Sequence, residues 1–326
     1  MYDVITLGSA TVDVFAKTDS QLVTIKTANS HEDLIAYPSG VKIIITDLQF
    51  EIGGGGTNTA AAFSRLGFNT AYGGCIGNDE NAQKVMQYLK KEKIDFIGTV
   101  EDAKTNYSIV LDSIEDDRTI LVYKDASNKL KFSKLNLSKF QAKAIYSSSM
   151  LEESYLTLEK ISDYAKKNSI MLAFNPSNYQ AEWGLARLSK VFRNLDILVL
   201  NKEEAELLVG KGEYAYLLKN LQKTGPQVVV ITDGKKGAVA LQKDMMYSIE
   251  PKKVHIVETT GAGDAFGSSF VAGMLINKDV EFALHLAALN AESVISHYGS
   301  KNVLLTRKEA LEQLKKDSRK VKKQRI

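Results

Sequence analysis

An acidic residue, Asp264, closes a glycine-rich segment late in the chain, Glu258-Thr-Thr-Gly-Ala-Gly-Asp264, and an apolar run follows it. This pattern is typical of a loop that opens into a helix. Glycines there let backbone N–H groups approach an anion, and the helix N-terminus adds a partial positive charge. An aspartate beside a bound phosphate can accept the proton of the hydroxyl that attacks it. An aspartate that only caps the helix gives the same pattern, and the spacing alone does not decide between the two.

The same glycines could instead bind a dinucleotide or belong to a Walker A loop. Gly261, Gly263 and Gly267 are spaced one residue too far apart for the pattern G-x-G-x-x-G, and the segment lies late in the chain. The pattern G-x-x-x-x-G-K-[ST] occurs nowhere in the sequence. The spacing therefore disfavours dinucleotide binding and excludes a Walker A loop.

A second glycine-rich segment, Gly53-Gly-Gly-Gly-Thr-Asn58, leads directly into the helical pattern TAAAFSRLG, which Gly67 is expected to close. Four glycines expose backbone to a ligand at little steric cost, and the Asn58 amide can both donate and accept hydrogen bonds. A flexible linker is the alternative, but serine-free glycine followed at once by a strong helix is poor linker composition. The segment therefore predicts a ligand-binding turn.

Polar residues follow two of the strand patterns, where the carboxyl ends of parallel strands usually meet ligands. Asp13 ends the segment Gly8-Ser-Ala-Thr-Val-Asp13, and its carboxylate could accept bonds from two neighbouring hydroxyls. Asn201 and Glu204 follow the run DILVL and could supply oxygens toward Mg²⁺ and its water shell. Surface aspartates are common, however, and a capped, charged first helical turn explains Asn201 and Glu204 at least as well.

The elements that must position these residues alternate between short apolar runs and helical patterns. Such alternation is typical of βα units around a mostly parallel sheet. The predicted strands are Val4–Leu7, Ala144–Tyr146, Ile170–Phe174, Ile197–Leu200, Val228–Thr232 and Ala238–Leu241. Between Asn78 and Lys91 the apolar residues fall on one helical face, which predicts a helix that packs against the sheet.

Two stretches interrupt this alternation, at about residues 12–52 and 99–123, and the second contains two strand patterns around an acidic turn. We expect them to pair as a small β-sheet that forms a lid outside the main layer. The sequence shows no repeat and no low-complexity linker. Residues 1–326 are therefore predicted to form one α/β domain with an inserted lid.

The composition is that of an ordinary globular protein. The chain has 326 residues, 44% of them hydrophobic, and its net charge of +3 does not predict binding to nucleic acid. A single cysteine excludes an internal disulfide, and four scattered histidines do not suggest a metal cluster. Neither a membrane-spanning run nor a signal peptide is recognisable, so we expect a cytoplasmic protein without a membrane partner.

Residues 315–326 form a basic tail. The tail follows a predicted helix for which Thr306 is the N-cap and Glu309 completes a capping box. A basic tail could contact RNA or acidic lipid, but a frayed and solvated C-terminus is the simpler interpretation.

Taken together and in order, these segments resemble the ribokinase-like, or PfkB, family of carbohydrate and nucleoside kinases. GGGGTNTAAAFSRLG is similar to the family's N-terminal motif, and ETTGAGDAF is similar to its more specific motif, D-T-x-G-A-G-D. The resemblance runs from about Asp3 to Gly299. It implies a three-layer α/β/α sandwich with a β lid, and transfer of the terminal phosphate of ATP, with Mg²⁺, to a hydroxyl of a sugar.

The resemblance also implies roles for individual residues. Asp264 matches the catalytic base, and the backbone of Gly261, Ala262 and Gly263 matches the anion hole. The positions that match acceptor binding are Asp13, Gly54, Gly55 and Asn58. Asn201 and Glu204 match an N-x-x-E segment associated with phosphate and Mg²⁺. The positions that match the nucleotide site are Thr232, Gly234, Gly237 and, near the adenine, Asn290.

Some departures from the family pattern limit what the resemblance implies. Glu258 stands where many members carry aspartate, so potassium activation is not carried over. Gly55 replaces a lysine common in ribokinases, and Asp125-Ala-Ser-Asn128 lacks the glycine of a stretch found in fructokinase-like members. A nucleoside acceptor is therefore an alternative to a sugar, and a ligand-binding protein that regulates a partner is an alternative of another class. Lids of this family often pair between subunits, which makes a homodimer through the lid plausible.

Overall fold

The computed structural model describes residues 1–18, 22–26, 31–35, 39–112, 118–257, 259–297, 299 and 301–326, with only the backbone described for 22–26 and 31–35. The strands are β1 (Tyr2–Leu7), β2 (Thr11–Thr18), β3 (Leu22–Lys26), β4 (His31–Ile35), β5 (Ile45–Gly53), β6 (Thr70–Tyr72), β7 (Cys75–Gly77), β8 (Asp95–Phe96), β9 (Thr99–Glu101), β10 (Asn106–Asp112), β11 (Arg118–Tyr123), β12 (Ala142–Ser147), β13 (Met171–Phe174), β14 (Ile197–Asn201), β15 (Val228–Thr232), β16 (Ala238–Gln242), β17 (Met245–Ile249) and β18 (Lys322–Arg325).

The α-helices are α1 (Gly55–Arg65), α2 (Glu80–Lys91), α3 (Glu152–Lys167), α4 (Asn178–Ala181), α5 (Gly184–Phe192), α6 (Lys202–Val209), α7 (Tyr214–Gln222), α8 (Ala262–Asn277), α9 (Val280–Ile295) and α10 (Arg307–Lys316). Within the described ranges, no helix has the length and apolar character needed to cross a membrane.

Among the described residues, ten strands form one central sheet, in the order β18, β17, β16, β15, β14, β13, β12, β1, β6, β8. The pairs from β15 to β8 are parallel, and the pairs from β15 to β18 are antiparallel. All six predicted strands are present, so the predicted mostly parallel sheet is confirmed. The chain moves outward from β1 to β6 and β8, and then continues from β12 to β15 on the other side of β1. The strand order therefore reverses between β1 and β12.

Both faces of the central sheet are buried under helices. Along β14, Leu198 and Leu200 pack into one apolar core with α3, α5, α6 and α7. Ile197 and Val199 pack into a second core, on the opposite face, with α8, α9 and α10. Because both faces are covered, the strand is an uninterrupted apolar run rather than an alternating one. The predicted three-layer α/β/α arrangement is confirmed.

The local signals at helix ends agree with the structure. Helix α2 begins after Asp79, whose side chain accepts a hydrogen bond from the Ala82 N–H, and it ends at Lys91 as predicted. Helix α10 carries the predicted capping box between Thr306 and Glu309. These patterns depend on residues three or four positions apart, so the sequence is sufficient to predict them.

A second sheet lies outside the main layer. Its order is β11, β10, β2, β5, so the two stretches that interrupt the βα alternation pair with each other as predicted. The acidic turn between β10 and β11 lies outside the described residues. The predicted lid boundary is too wide at one point, because β9 pairs with β7 instead. We call the sheet of β11, β10, β2 and β5 the lid sheet.

The interpretation of the C-terminus as frayed is wrong. Strand β18 pairs antiparallel with β17, from Lys322 opposite Ser248 to Arg325 opposite Met245, and forms an edge of the central sheet. Upstream of β18, Arg319 donates hydrogen bonds to the buried carboxylates of Asp317 and Glu292. A buried network of ion pairs therefore anchors the tail. The basic composition of the tail gives no sign of this network in the sequence.

Candidate active site

A cavity of about 340 Å³ opens at the carboxyl ends of the central strands, where the strand order reverses. Ser9 follows β1 and Ser148 follows β12, and both line the cavity. The ends of β13, β14 and β15 contribute Asn175, Asn201 and Thr232. Connections leave the sheet in opposite directions at such a reversal, and the space between them is where open α/β sheets bind ligands.

The N-terminus of helix α8 forms one wall of this cavity. Its N-cap residue, Gly261, has φ of 81°, a left-handed conformation that glycine adopts without steric cost. Gly261 and Gly263 line the cavity, and a Cβ added at Gly263 would meet no atom within 4 Å. The Ala262 N–H donates to the Thr259 carbonyl at 3.2 Å. N–H groups of a first helical turn lack acceptors within the helix. The Ala262 N–H is engaged by the preceding loop, whereas Gly261 and Gly263 line the cavity.

Asp264 lies in the first turn of α8, and its carboxylate lines the cavity. Its Oδ2 accepts a hydrogen bond from Nδ2 of Asn58 at 2.9 Å. The N-cap residue of the helix is Gly261, and Asp264 is its third helical residue, so Asp264 is not the N-cap. Burial raises the pKa of Asp264, whereas the Asn58 hydrogen bond and the charge of Lys301 lower it.

The start of helix α1 packs against the same wall. Its N-cap residue, Gly54, has φ of 94°, and a Cβ there would lie 2.5 Å from the Ser9 carbonyl oxygen. Gly55 lines the cavity, and a Cβ there would lie 2.7 Å from Cβ of Ser148 and 3.4 Å from Oδ1 of Asp264. Larger residues at these positions would push the start of α1 away from Ser9, Ser148 and Asp264. The glycine run therefore allows the two helix N-termini to meet at Asp264.

Asp13 and Asn58 join the lid sheet and helix α1 to this wall. Asp13, on β2, lies against Gly53, where a Cβ would overlap its carboxylate. The Ser108 hydroxyl of the neighbouring strand β10 donates to Oδ1 of Asp13. Asn58 is buried in the second turn of α1, and its Oδ1 accepts a hydrogen bond from Nζ of Lys301 at 2.9 Å. Of the predicted acceptor-binding residues only Gly55 lines the cavity, and Asp13, Gly54 and Asn58 are not among its lining residues. Asn58 reaches the cavity wall through its hydrogen bond to Asp264.

Asn201 and Glu204 line the cavity from the start of helix α6. They form a capping box: the Glu204 N–H donates to Oδ1 of Asn201 at 2.8 Å, and the Asn201 N–H donates to Oε2 of Glu204 at 2.9 Å. The capping explanation of this pattern is therefore confirmed. The two residues also line the cavity, and their role toward Mg²⁺ stays a prediction. Glu204 is 6% exposed, and burial raises its pKa to about 7.

Mg²⁺ fits this arrangement only together with a phosphate ligand. Within the described part of the chain, no group of three His, Cys, Asp or Glu side chains could hold a metal ion alone. Mg²⁺ in phosphate-transferring sites usually keeps several waters and binds one or two carboxylates plus substrate phosphates. The single buried carboxylate of Glu204 is a donor of this kind, and a nearby divalent cation would favour its ionised form.

Comparison with known proteins decides the family. A model of the pfkB family carbohydrate kinases matches residues 4–307 of this chain. The chain belongs to that family. It is 28% identical over 253 residues to an uncharacterised sugar kinase of Archaeoglobus fulgidus, covering 74% of this chain and 97% of that protein. It is 27% identical over 274 residues to a ribokinase of Haemophilus influenzae, covering 81% of this chain and 87% of that protein.

The fold is confirmed by solved structures. The crystal structure of a ribokinase from Thermotoga maritima superimposes with a TM-score of 0.81 at 19% sequence identity, covering 97% of this chain and 100% of that one. Identity at this level shows the shared fold and not a shared substrate. The predicted family, fold class and carbohydrate kinase activity are confirmed.

The predicted nucleotide-binding residues of the kinase fall into two groups. Thr232 lies at the end of β15 and lines the cavity. Gly234 and Gly237 shape the turn that follows and are not among the lining residues. Asn290 is fully buried, where its Nδ2 donates to the Ser269 hydroxyl at 2.7 Å and its Oδ1 accepts from the Leu305 N–H at 2.9 Å. Because its polar groups are engaged within the core, we leave Asn290 out of the proposed nucleotide site.

The sequence analysis missed several residues that the kinase brings to its cavity. The missed polar lining residues are Ser9, Ser148, Ser149, Asn175 and Ser177. Each follows one of the parallel strands, so strand ends could have indicated them. The Ser148 hydroxyl is buried and has no hydrogen-bond partner among the described residues. No pattern in the sequence indicates the buried Lys301. Glu258, the residue that argues against potassium activation, lies outside the described residues.

Proposed function

We propose that this kinase transfers the terminal phosphate of ATP to a hydroxyl of an uncharged sugar, with Mg²⁺ as cofactor. The observation that carries the proposal is that the Asp264 carboxylate faces the same cavity as the backbone of Gly261 and Gly263 and the Glu204 carboxylate. A base, an anion site and a metal ligand within one cavity are the parts that phosphoryl transfer requires. The family and the sugar kinases among its relatives support a sugar as acceptor.

The acceptor is held on the Asp264 side of the cavity. Asp13 and Asn58 orient its hydroxyls by hydrogen bonds, and the backbone of Gly54 and Gly55 allows the sugar ring to approach closely. Among the described lining residues, the ionisable side chains are Asp264 and Glu204, both acidic. An acceptor that already carries phosphate or carboxylate would be repelled there, which is why we favour an uncharged sugar.

The nucleotide is held on the Glu204 side. Asn201 and Thr232 contact it from the ends of β14 and β15, and Gly234 and Gly237 keep the following turn narrow beside it. The N–H groups of Gly261 and Gly263, at the positive end of α8, stabilise charge on the transferred group. Glu204 would hold Mg²⁺, which when bound neutralises charge on the nucleotide phosphates.

Asp264 accepts the proton of the acceptor hydroxyl as the new O–P bond forms and the bond from phosphorus to the leaving ADP oxygen breaks. The proton ends on the Asp264 carboxylate and leaves to solvent after the products. Closure of the lid sheet over the sugar excludes water and so prevents hydrolysis of ATP.

The test is a panel of acceptors, each offered with ATP and with ADP as phosphate donor. Purified kinase is incubated with Mg²⁺, with ATP or ADP, and with ribose, fructose, other uncharged sugars, sugar phosphates and nucleosides, and phosphorylated products are identified by ³¹P NMR. The Asp264→Asn variant, purified in parallel, controls for contaminating kinases. We expect transfer from ATP to at least one uncharged sugar that the variant fails to support.

Each other outcome has a defined meaning. Transfer to nucleosides alone would replace the sugar with a nucleoside acceptor, and transfer only to sugar phosphates would contradict the charge argument. No transfer to any acceptor, from either donor, would favour a ligand-binding relative that regulates a partner.

A further inference from the structure

A lysine that belongs to none of the predicted motifs lies buried behind the Asp264 wall. Lys301 is 3% exposed, and its Nζ donates to Oδ1 of Asn58 at 2.9 Å and lies 4.5 Å from the centroid of the Tyr88 ring. Its backbone carbonyl accepts a hydrogen bond from Nη1 of Arg65 at 3.0 Å. Burial of an ammonium group is unfavourable unless opposite charges and hydrogen bonds compensate for it. The partners of Lys301 therefore point to its role.

The charge of Lys301 sets the direction of the hydrogen bonds around Asn58. A protonated amine has three donors and no acceptor, so it binds the oxygen of the Asn58 amide and not its nitrogen. The nitrogen then faces Asp264, to whose Oδ2 it donates at 2.9 Å. A hydrogen bond donated to a carboxylate favours its ionised form. Two hydrogen bonds thus link Lys301 to Asp264 through the Asn58 amide. Because the amide is oriented by the ammonium group, its N–H group points at the carboxylate of the proposed base.

We propose that Lys301 is a positioning residue that acts through Asn58 to hold the Asp264 carboxylate oriented and ionised. The inference rests on the proposed function only in naming Asp264 as the base. The hydrogen-bonded chain itself stands on the three side chains and their distances. If Lys301 loses its proton, its nitrogen can accept as well as donate, and the Asn58 amide is no longer held in one orientation.

The carboxylates around Lys301 stabilise its charged form, which burial destabilises. Burial lowers the pKa of Lys301 to about 8, while four surrounding carboxylates raise it. The charged and titratable groups that face it from the neighbouring elements are Asp13, Glu51, Asp264, Glu92, Tyr88 and Arg65. The folded pKa therefore lies below the ordinary value for lysine, so the ammonium is present at neutral pH and is lost as the pH rises through about 8.

The first experiment needs no acceptor. Protein labelled with ¹³C at the aspartate carboxyls and at lysine Cε is titrated by NMR, and the Asp264 signal is assigned by its absence from Asp264→Asn. We expect the wild-type Asp264 signal to move a second time at about pH 8, together with the Lys301 signal. In Lys301→Met the Asp264 midpoint should rise by about one unit, because a nearby cation lowers a carboxyl pKa.

A matched control separates this effect from a general loss of charge. Lys134, a surface lysine paired with Glu101, is replaced by methionine in the same way, and the Asp264 midpoint should not change. An Asp264 signal that ignores the Lys301 titration, or a midpoint unchanged in a folded Lys301→Met, overturns the proposal. If Lys301→Met does not fold, the wild-type titration alone decides.

The second experiment uses the acceptor that the substrate panel identifies. At neutral pH, Lys301→Met should lower kcat by at most about tenfold, which is the limit that a shift of one pKa unit sets on the ionised fraction of the base, with little change in KM for ATP. As the pH rises through about 8 the wild type loses the Lys301 charge, so the difference in kcat between the wild type and Lys301→Met should shrink. A loss that is equal at every pH indicates a merely structural role. If no acceptor is found, the proposed function fails while the carboxyl titration still decides the role of Lys301.

Discussion

Replacement of Asp264 by asparagine tests the proposed chemistry with little change in structure. In the wild-type kinase, Oδ2 of Asp264 accepts a hydrogen bond from Asn58 at 2.9 Å, and the amide oxygen of an asparagine can accept the same bond. The backbone that faces the nucleotide, at Gly261 and Gly263, is not altered. What the substitution removes is the ability to take a proton from the acceptor hydroxyl.

The expected loss of turnover follows from that single change. Removal of a general base typically lowers the rate by about a hundred- to ten-thousand-fold. That range corresponds to a rise of about 2.7 to 5.4 kcal/mol in the activation free energy. We expect kcat to fall within this range while the affinity for ATP stays close to that of the wild type.

The same substitution should not weaken the fold. Burial raises the pKa of Asp264 in the folded protein. A carboxyl with a raised folded pKa contributes stability that is present at low pH and is lost as the pH rises through the folded value. At about pH 8 the ionised Asp264 is therefore unfavourable for folding. Asp264→Asn should unfold at the same or a higher temperature than the wild type, as is common where a functional group is held against stability.

The assay combines steady-state kinetics, ATP binding by calorimetry and thermal unfolding at about pH 8. Asp163→Asn serves as control, because Asp163 is an exposed aspartate on helix α3 and its loss should change none of the three quantities. Turnover by folded Asp264→Asn within about threefold of the wild type would refute its role as the base. A large loss of turnover together with a lower unfolding temperature would instead indicate a structural role.

Three further predictions concern other parts of the molecule. Because burial raises the pKa of Glu204 to about 7, the stability that its protonated form contributes is lost above that pH. Glu204→Gln should therefore raise the free energy of unfolding at about pH 8 by up to about 3 kcal/mol and weaken Mg²⁺-dependent ATP binding. A variant less stable than the wild type at that pH would contradict this. Arg319→Ala removes the arginine partner that two buried carboxylates share, and it should lower the free energy of unfolding by about 3 kcal/mol in urea titrations. Exposed Arg325→Ala should change it by less than about 0.5 kcal/mol, and similar values for both would contradict the anchoring of the tail. Phe50 lies on the lid sheet and is 57% exposed among other exposed apolar side chains. We therefore predict a homodimer through the lid, which Phe50→Glu should convert to a monomer as measured by light scattering, and a monomeric wild type would count against it.

The parts of the fold that the sequence predicts are those with a local signal. The run Ile197–Leu200 is apolar on both faces, which is typical of a strand inside a parallel sheet, and the structure buries both faces. The Thr306 and Glu309 capping box needs only two residues three positions apart. The seven residues that end in Asp264 are enough to predict a glycine-rich loop that opens into a helix, although not to separate a base from a helix cap. Each of these features could be interpreted without knowing what packs against it.

The features that the sequence could not predict depend on distant partners. Lys301 lies 243 positions from Asn58, and no local pattern distinguishes it from a surface lysine. The strand Lys322–Arg325 is exposed and charged, which is the composition of a frayed end, but its backbone pairs with Met245–Ile249. Asn290 occupies a family position, yet its orientation toward Ser269 is set by how α8 and α9 pack. Such features need the three-dimensional structure.

The two carboxylates of the cavity differ in what balances their charge. Burial raises the pKa of Asp264, but a resident donor, Asn58, and a resident cation, Lys301, oppose that rise before any substrate arrives. Glu204 has the Asn201 N–H as donor, while the neighbouring Glu203 raises its pKa further. Its ionised form therefore depends more on a cation that enters with the nucleotide. If the proposed roles hold, removal of Mg²⁺ should shift the titration of Glu204 far more than that of Asp264, because the charge of the proposed base is balanced by the protein and that of the proposed metal ligand by the substrate complex.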